Sequence, residues 1–242
     1  MSDVHSPTRF RAVTRSFEAV AAARPDAIAV VHEARSLTFA ALNRRANQLA
    51  AHLRGFGVGP ESLVGVCMSR SCDWVTALLA VWKAGAAYLP LDPRHPWERL
   101  AAQLDAAMPV VVLGTDESLG ALRAPSAYVM SIDEDRALLD ACDPADPADP
   151  IDPRALACVL YTAGSTGRPK AIAMEHGGLA NLALGTAGAL GIDAASVVLQ
   201  FYPVTADAAL WEALPALTTG ARLVVSDRDR NVDPSRSNHR SL

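Results

Sequence analysis

"LACVLYTAGSTGRPKAIAMEH", residues 156–176, is the stretch on which the fold turns. Two apolar runs bracket a segment of small hydroxyl residues, glycines, a proline and a lysine. Residues 155–162 read as a buried strand, and residues 171–176 as the strand that returns. Glycine lets backbone N–H groups converge on an anion with no Cβ in the way. Thr162, Ser165 and Thr166 add hydroxyl donors and Lys170 adds a positive charge, so the chemistry suits phosphate. The spacing is not that of a G-x-x-x-x-G-K-[ST] loop. Gly164, Gly167 and Lys170 fall three apart, and Pro169 precedes the lysine. On the residues alone, a surface hairpin rich in Ser, Thr and Gly is the competing reading.

Outward from this loop, short β-rich runs alternate with amphipathic helical ones. Residues 26–31 read as a strand. Thr38 caps a helix whose Leu42, Ala46, Leu49 and Leu53 form one apolar stripe, ended by Gly55 and Gly57. A strand over 62–68 precedes a helix expected to be capped by Asp73, with Val75, Leu78, Leu79 and Trp82 on one face and Gly85 as its stop. Residues 87–91 are extended. A helix from Pro96 groups Trp97, Leu100, Ala101 and Leu104, and residues 109–114 and 127–132 are strands. Downstream come a helix over 177–190, a strand over 197–201, a helix starting near Asp207 and a strand over 222–225. The alternation predicts an α/β fold, with mostly parallel sheets flanked by helices.

Three stretches break the rhythm. Residues 1–13 are expected to be a flexible N-terminus. "DPADPADPIDP", residues 143–153, is too rich in proline for helix and reads as a linker or long surface loop, although strand–helix alternation resumes beyond it. Residues 227–242 carry one apolar residue, Val232, before the terminal Leu242, and are expected to be a disordered tail.

Composition narrows the function. The 242 residues are half hydrophobic and one fifth charged, the profile of a globular chain long enough for a sizeable core. A net charge of −4 gives no basic footprint for nucleic acid. No apolar run approaches the ~20 residues of a membrane span. The first residues lack the apolar core of a secretory signal, so the expected location is the cytoplasm. Cys67, Cys72, Cys142 and Cys158 are scattered without a Cys-x-x-Cys pair and read as ordinary thiols. The histidines show no metal-ligand spacing, so no metal site is predicted; His176 alone lies near the candidate loop. There is no Gly-x-Ser-x-Gly elbow, and no catalytic residue is assigned.

The quoted stretch resembles the phosphate-binding core motif of adenylate-forming enzymes, and in particular of the amino-acid adenylation domains of nonribosomal peptide synthetases. "LTFAALNRRANQLAAHLRGFGVGPESLVGVCMSRSCDWVTALLAVWKAGAAYLPLDPRHPWERL", residues 37–100, is similar to that family nearly position by position. "AMEHGGLANL" (173–182) and "VLQFYPVTADAALWEALPALTTGARLVV" (198–225) continue the likeness, which runs from about residue 14 to about 226. The resemblance implies part of the large N-terminal subdomain of the adenylate-forming fold. It implies activation of an amino acid by ATP to an aminoacyl adenylate and pyrophosphate, and transfer of the product to a carrier thiol. Thr162, Gly164, Ser165, Thr166, Gly167 and Lys170 would grip the ATP β- and γ-phosphates, with Mg2+ accompanying the nucleotide. Asp207 aligns with the aspartate that pairs with the substrate's α-amino group, and Ala208 and Trp211 with pocket-lining positions. On position alone, Asp207 reads as a helix N-cap.

Departures from the family pattern are Ala163 for a hydroxyl residue, Ala171 for glycine, Ala206 for an aromatic and Gly177 for arginine. If position 171 demanded a left-handed backbone, alanine would cost about 1–2 kcal/mol there. The resemblance also implies a truncated adenylation domain, inactive alone. The polar tail is unlike the family's continuation, and strand 222–225 would be an uncovered sheet edge. The alternative is a binding module, or one half of a split enzyme, docking through that edge onto a polypeptide that supplies the missing half.

Overall fold

The computed structural model describes residues 12–120, 122, 127–162 and 170–226. In chain order the elements are α1 (Val13–Ala23), β1 (Ile28–His32), β2 (Arg35–Thr38), α2 (Phe39–Gly55), β3 (Leu63–Cys67), α3 (Cys72–Lys83), β4 (Ala87–Leu91), α4 (Trp97–Ala107), β5 (Val111–Gly114), α5 (Asp116–Leu119), β6 (Tyr128–Ser131), α6 (Arg136–Asp140), β7 (Leu156–Thr162), β8 (Lys170–Glu175), α7 (His176–Leu190), β9 (Val197–Gln200), α8 (Asp207–Thr219) and β10 (Arg222–Val225). They make a six-stranded sheet, β6-β5-β3-β4-β7-β8, and a four-stranded sheet, β2-β1-β10-β9. Among the described residues, only β7–β8 and β1–β2 pair antiparallel. The α/β architecture expected from the alternation is therefore present, as two mostly parallel sheets with helices between and outside them.

Helix α3 shows why the two sheets share one core. Trp74, Val75, Ala77, Leu78, Leu79, Ala80, Val81 and Trp82 are all buried, so the helix is apolar all round and must be covered on every side. It touches β1 and β2 of one sheet and β3 and β4 of the other. Val64, Val66, Val111 and Leu113 meet Ala29, Val30 and Leu223 through this helical layer in one continuous cluster. On the opposite face of the six-stranded sheet, Leu89, Leu91 and Val112 pack on Leu100 and Leu104 of α4. Period-two alternation along β5 decides which residue goes where.

Thr38 caps α2 as expected, accepting the Ala41 amide at 3.1 Å. For α3 the expected cap is corrected. Ser71, extended at φ −168° and ψ 174°, accepts the Trp74 amide at 3.0 Å. Asp73 already lies inside the first turn and instead binds Arg35 at 2.7 Å. Gly85, at φ +84°, turns the chain where a side chain would be strained.

Two further expectations change. Strand 222–225 is not an edge, because β10 lies between β1 and β9, with Val30 opposite Leu223 and Leu223 opposite Val198. The edges are β2 and β9 in that sheet and β6 and β8 in the other. The folded chain also begins earlier than residue 14, since Ala12 and Val13 are buried and Val13 opens α1. Residues 1–11 and 227–242 lie outside the described residues.

Residues 143–153 are extended but not a free linker. Asp146 Oδ1 accepts from Asn43 at 2.8 Å, Asn47 at 2.9 Å and Lys83 Nζ at 3.0 Å, and the Pro144 carbonyl accepts from Asn47 at 2.7 Å. Lys83 is fully buried and also binds Glu18 at 2.6 Å. Burial pushes the Asp146 carboxyl up, but hydrogen bonds from Asn47, Lys83 and Asn43 outweigh it and hold the group below the ordinary range. The proline-rich segment is thus a strap across α1, α2 and α3.

Candidate functional site

The two strands that flank the quoted loop, β7 and β8, pair antiparallel. Thr162 stands opposite Lys170 and Tyr161 opposite Ala171, and Thr162 Oγ1 lies 3.5 Å from the Lys170 carbonyl it donates to. Gly164, Ser165, Thr166 and Gly167, with Ala163, lie outside the described residues. The two strands position the hairpin mouth. β7 runs parallel to β4, β4 to β3 and β3 to β5, so the mouth opens where Cys67, Leu91 and Gly114 end their strands. In open parallel sheets, ligands bind beyond these carboxyl ends. Thr162 and Lys170 are exposed there. Ala171 carries no left-handed strain: among the described non-glycine residues only Glu33, Glu61 and Met108 have positive φ.

A polar crevice of about 690 Å³ opens at the carboxyl ends of β1, β3, β4 and β5, with Glu33, Arg35, Arg70, Arg94 and Thr115 in its wall. Arg94 binds Asp92 through Nε and Nη2 at 2.9 and 2.8 Å. Burial raises the Asp92 carboxyl, and Arg94 more than compensates, leaving it below its usual range.

Asp207 is the first residue of α8, not its cap. Ala206, extended at ψ 144°, holds the cap position and has no side-chain acceptor to offer. Asp207 Oδ1 accepts the neighbouring Ala208 amide at 2.8 Å, and the carboxylate is otherwise exposed at the positive end of the helix. Ala208 is half-buried and Trp211, one turn on, is 52% exposed. The other face of the helix buries Ala209, Leu210, Ala213 and Leu214 in the core. Asp207, Ala208 and Trp211 therefore share the open side. Among the described residues, neither Lys170 nor Asp207 forms an ion pair, and no hydrogen bond joins the hairpin group to the α8 group.

The turn leading into α8 is held by groups that local sequence reading missed. Glu212 Oε2 accepts the Phe201 amide at 2.9 Å, the Tyr202 amide at 3.1 Å and the Gln200 side chain at 3.4 Å. Arg70, after β3, donates to the Phe201 carbonyl. Tyr88 donates to the Val204 carbonyl at 3.3 Å while accepting from Trp74 Nε1 at 2.9 Å. These partners lie far apart in sequence, and no local pattern announces them.

His176 opens α7. Its ring is fully buried, and neither ring nitrogen has a hydrogen-bond partner among the described residues. Burial pushes the imidazole down to about 4, so it is neutral near pH 7. Next to it, the Gly177 amide donates to the Pro153 carbonyl at 2.7 Å, and a Cβ on Gly177 would meet that oxygen at 3.1 Å. A larger residue at this position would require the Pro153 carbonyl to shift by a few tenths of an ångström. Cys67, Cys72 and Cys158 are buried, and desolvation raises the Cys67 thiol to about 12. Among the described residues, no three His, Cys, Asp or Glu side chains gather as a metal cage, and no helix is long and apolar enough to cross a membrane.

Residues 17–239 match the family described as AMP-binding enzyme. The match runs past residue 226 and so through most of the stretch read as unlike the family. That reading rested on polarity, which measures burial rather than kinship. One polypeptide of the linear gramicidin synthase of Brevibacillus parabrevis is 42% identical over 217 residues, covering 90% of this chain and 4% of that protein. Tyrocidine synthase 1 of the same organism is 38% identical over 218 residues, covering 89% of this chain and 20% of that protein. Among solved structures, the nonribosomal peptide synthetase FmoA3 in its AMPPNP-bound form superposes with TM-score 0.86 at 31% identity, covering 97% of this chain and 25% of that one. The Klebsiella oxytoca NpsA N-terminal subdomain in complex with 3-hydroxybenzoyl-AMSN gives TM-score 0.80 at 27% identity, covering 92% of this chain and 56% of that one. The chain belongs to the AMP-binding enzyme family, and its fold is that of the N-terminal region of a nonribosomal-peptide-synthetase adenylation domain.

Proposed function

We propose that these residues serve a unit that activates an amino acid with ATP. The observation that carries this reading is the β7–β8 hairpin mouth, with Lys170 exposed at the carboxyl ends of the parallel strands. A carboxylate oxygen of the amino acid attacks the α-phosphorus. The bond from that phosphorus to the bridging oxygen breaks, and pyrophosphate leaves with the electron pair. Thr162, Gly164, Ser165, Thr166, Gly167 and Lys170 hold the β- and γ-phosphates, where negative charge accumulates on the leaving group. Asp207 receives the α-ammonium, since such a charge in a largely apolar pocket needs a partner. Ala208 and Trp211 form part of the side-chain pocket. The described residues do not form a magnesium cage, and a magnesium ion is expected to arrive on the nucleotide's phosphate oxygens. The product passes to the thiol of a carrier protein, and the setting is the cytoplasm.

Support comes from the peptide synthetases at 42% and 38% identity and from the AMPPNP-bound FmoA3 structure. The chain spans 56% of the NpsA subdomain, so a polypeptide of these 242 residues is expected to show no turnover by itself. ATP–pyrophosphate exchange across the amino acids tests this. The purified polypeptide should give none, whereas a hybrid carrying residues 12–226 in a gramicidin synthase adenylation domain should exchange and lose activity with Lys170→Ala. A hybrid indifferent to Lys170→Ala contradicts the proposal.

A second reading is an interaction module, favoured by the open edge strand β9, where Val197 and Leu199 are 62% and 53% exposed. A second polypeptide supplying the rest of the unit would pair there. An inactive hybrid together with stoichiometric binding of such a polypeptide would select this reading.

A further inference from the structure

We propose that Glu212 is a positioning residue for amino-acid recognition. Its carboxylate fixes the turn that presents Asp207, and Arg70 and Tyr88 hold carbonyls of the same turn. The inference rests on the amine reading of Asp207 given above. One Glu212 oxygen gathers the consecutive amides of Phe201 and Tyr202, at 2.9 and 3.1 Å. Consecutive amides aimed at one carboxylate fix the chain direction at that point, because both peptide planes must face the same oxygen. From the other side, Arg70 holds the Phe201 carbonyl and Tyr88 holds the Val204 carbonyl. The path from Gln200 at the end of β9 to Asp207 at the start of α8 is thereby pinned at both ends. Glu212 itself lies on α8 one residue beyond Trp211, so the helix that carries the recognition residues also carries their brace.

The chemistry also explains why Ala206 is tolerated as a cap. An alanine N-cap leaves the first turn without a side-chain acceptor. Asp207 supplies one acceptor to Ala208, and the turn before it is ordered by Glu212 rather than by a cap.

The test uses the 242-residue protein and two readouts. The first is amide hydrogen exchange at Phe201 and Tyr202, which should speed at least tenfold in Glu212→Ala and recover partly in Glu212→Gln, which keeps one acceptor oxygen. Unchanged exchange overturns the brace. The second is binding by NMR titration of the proteinogenic L-amino acids and, for the tightest, of its counterpart with hydrogen in place of the α-amine. The parent should prefer the amine form, and Glu212→Ala should cut that preference about tenfold while leaving affinity for the des-amino acid unchanged. A merely structural role would lower both affinities together. A preference that survives Glu212→Ala overturns the inference alone. A parent with no preference overturns the amine reading of Asp207, and with it the recognition role of Glu212. If Glu212→Ala does not fold, Glu212→Gln against the parent carries both readouts.

Discussion

Two lysines divide the molecule. Lys83, at the end of α3, is fully buried, lies 5.9 Å from the Phe17 ring centroid, and is held by Glu18 and Asp146. Lys170, at the hairpin mouth, is exposed and has no carboxylate partner among the described residues. A buried ammonium must be neutralised by the protein itself, because removing it from water costs several kcal/mol. An exposed ammonium at the end of a parallel sheet keeps its charge available for a ligand. The region around Lys83 is closed by its own chain, whereas Trp211 on α8 and Val197 and Leu199 on β9 are exposed among the described residues.

The comparison breaks most visibly if the two lysines respond alike. Lys83→Met strands Glu18 and Asp146 without their shared cation and should cost about 3–5 kcal/mol in urea unfolding, whereas Lys170→Met should stay within about 0.5 kcal/mol of the parent. His176 sharpens the contrast, as a second buried group that the fold keeps uncharged. At high pH neither folded nor unfolded chain protonates the ring. As pH falls from its ordinary 6.5 toward 4, only the unfolded chain gains the proton, so stability declines; below about 4 both states gain it and the decline ends. The loss across that window should be about 3 kcal/mol. His176→Leu should remove this part of the pH dependence, read as urea midpoints from pH 7 to 4. A smaller effect than that of Lys83 or His176 belongs to Ala171. Because β8 holds it in ordinary extended backbone, Ala171→Gly should lower stability by about 0.5–1 kcal/mol rather than relieve strain.

What the sequence showed and what it hid follow from the range of the interactions. The stripe Leu42, Ala46, Leu49, Leu53 was legible because helical periodicity is local, and those residues are buried as expected. The strand–loop–strand at 155–176 was legible for the same reason, and it gave both ends of the hairpin. The position of β10 was not. Its neighbour β1 lies nearly the whole chain away, and a four-residue apolar run carries no label for its partner. The segment at 143–153 was legible as an extended loop but not as a strap, because prolines report backbone shape, whereas attachment depends on Asn43, Asn47 and Lys83. The cap of α3 was misplaced by two residues because Ser71 and Asp73 are both good capping types, and only the extended dihedrals of Ser71 distinguish them. In the candidate site, Lys170 and Asp207 were singled out by motif resemblance. Glu212 and Arg70 escaped because they act on backbone groups that no side-chain pattern reveals.

The central claim is that the β7–β8 hairpin holds a triphosphate. Its most direct test is titration of AMPPNP into the isotope-labelled protein, observing the amides of residues 160–172 in the parent and in Lys170→Ala. The account predicts shifts concentrated at the hairpin and an affinity reduced about 10–100-fold by the substitution, the effect of losing one charged contact. Shifts confined to other parts of the sheet, or equal affinity in the two proteins, would contradict it.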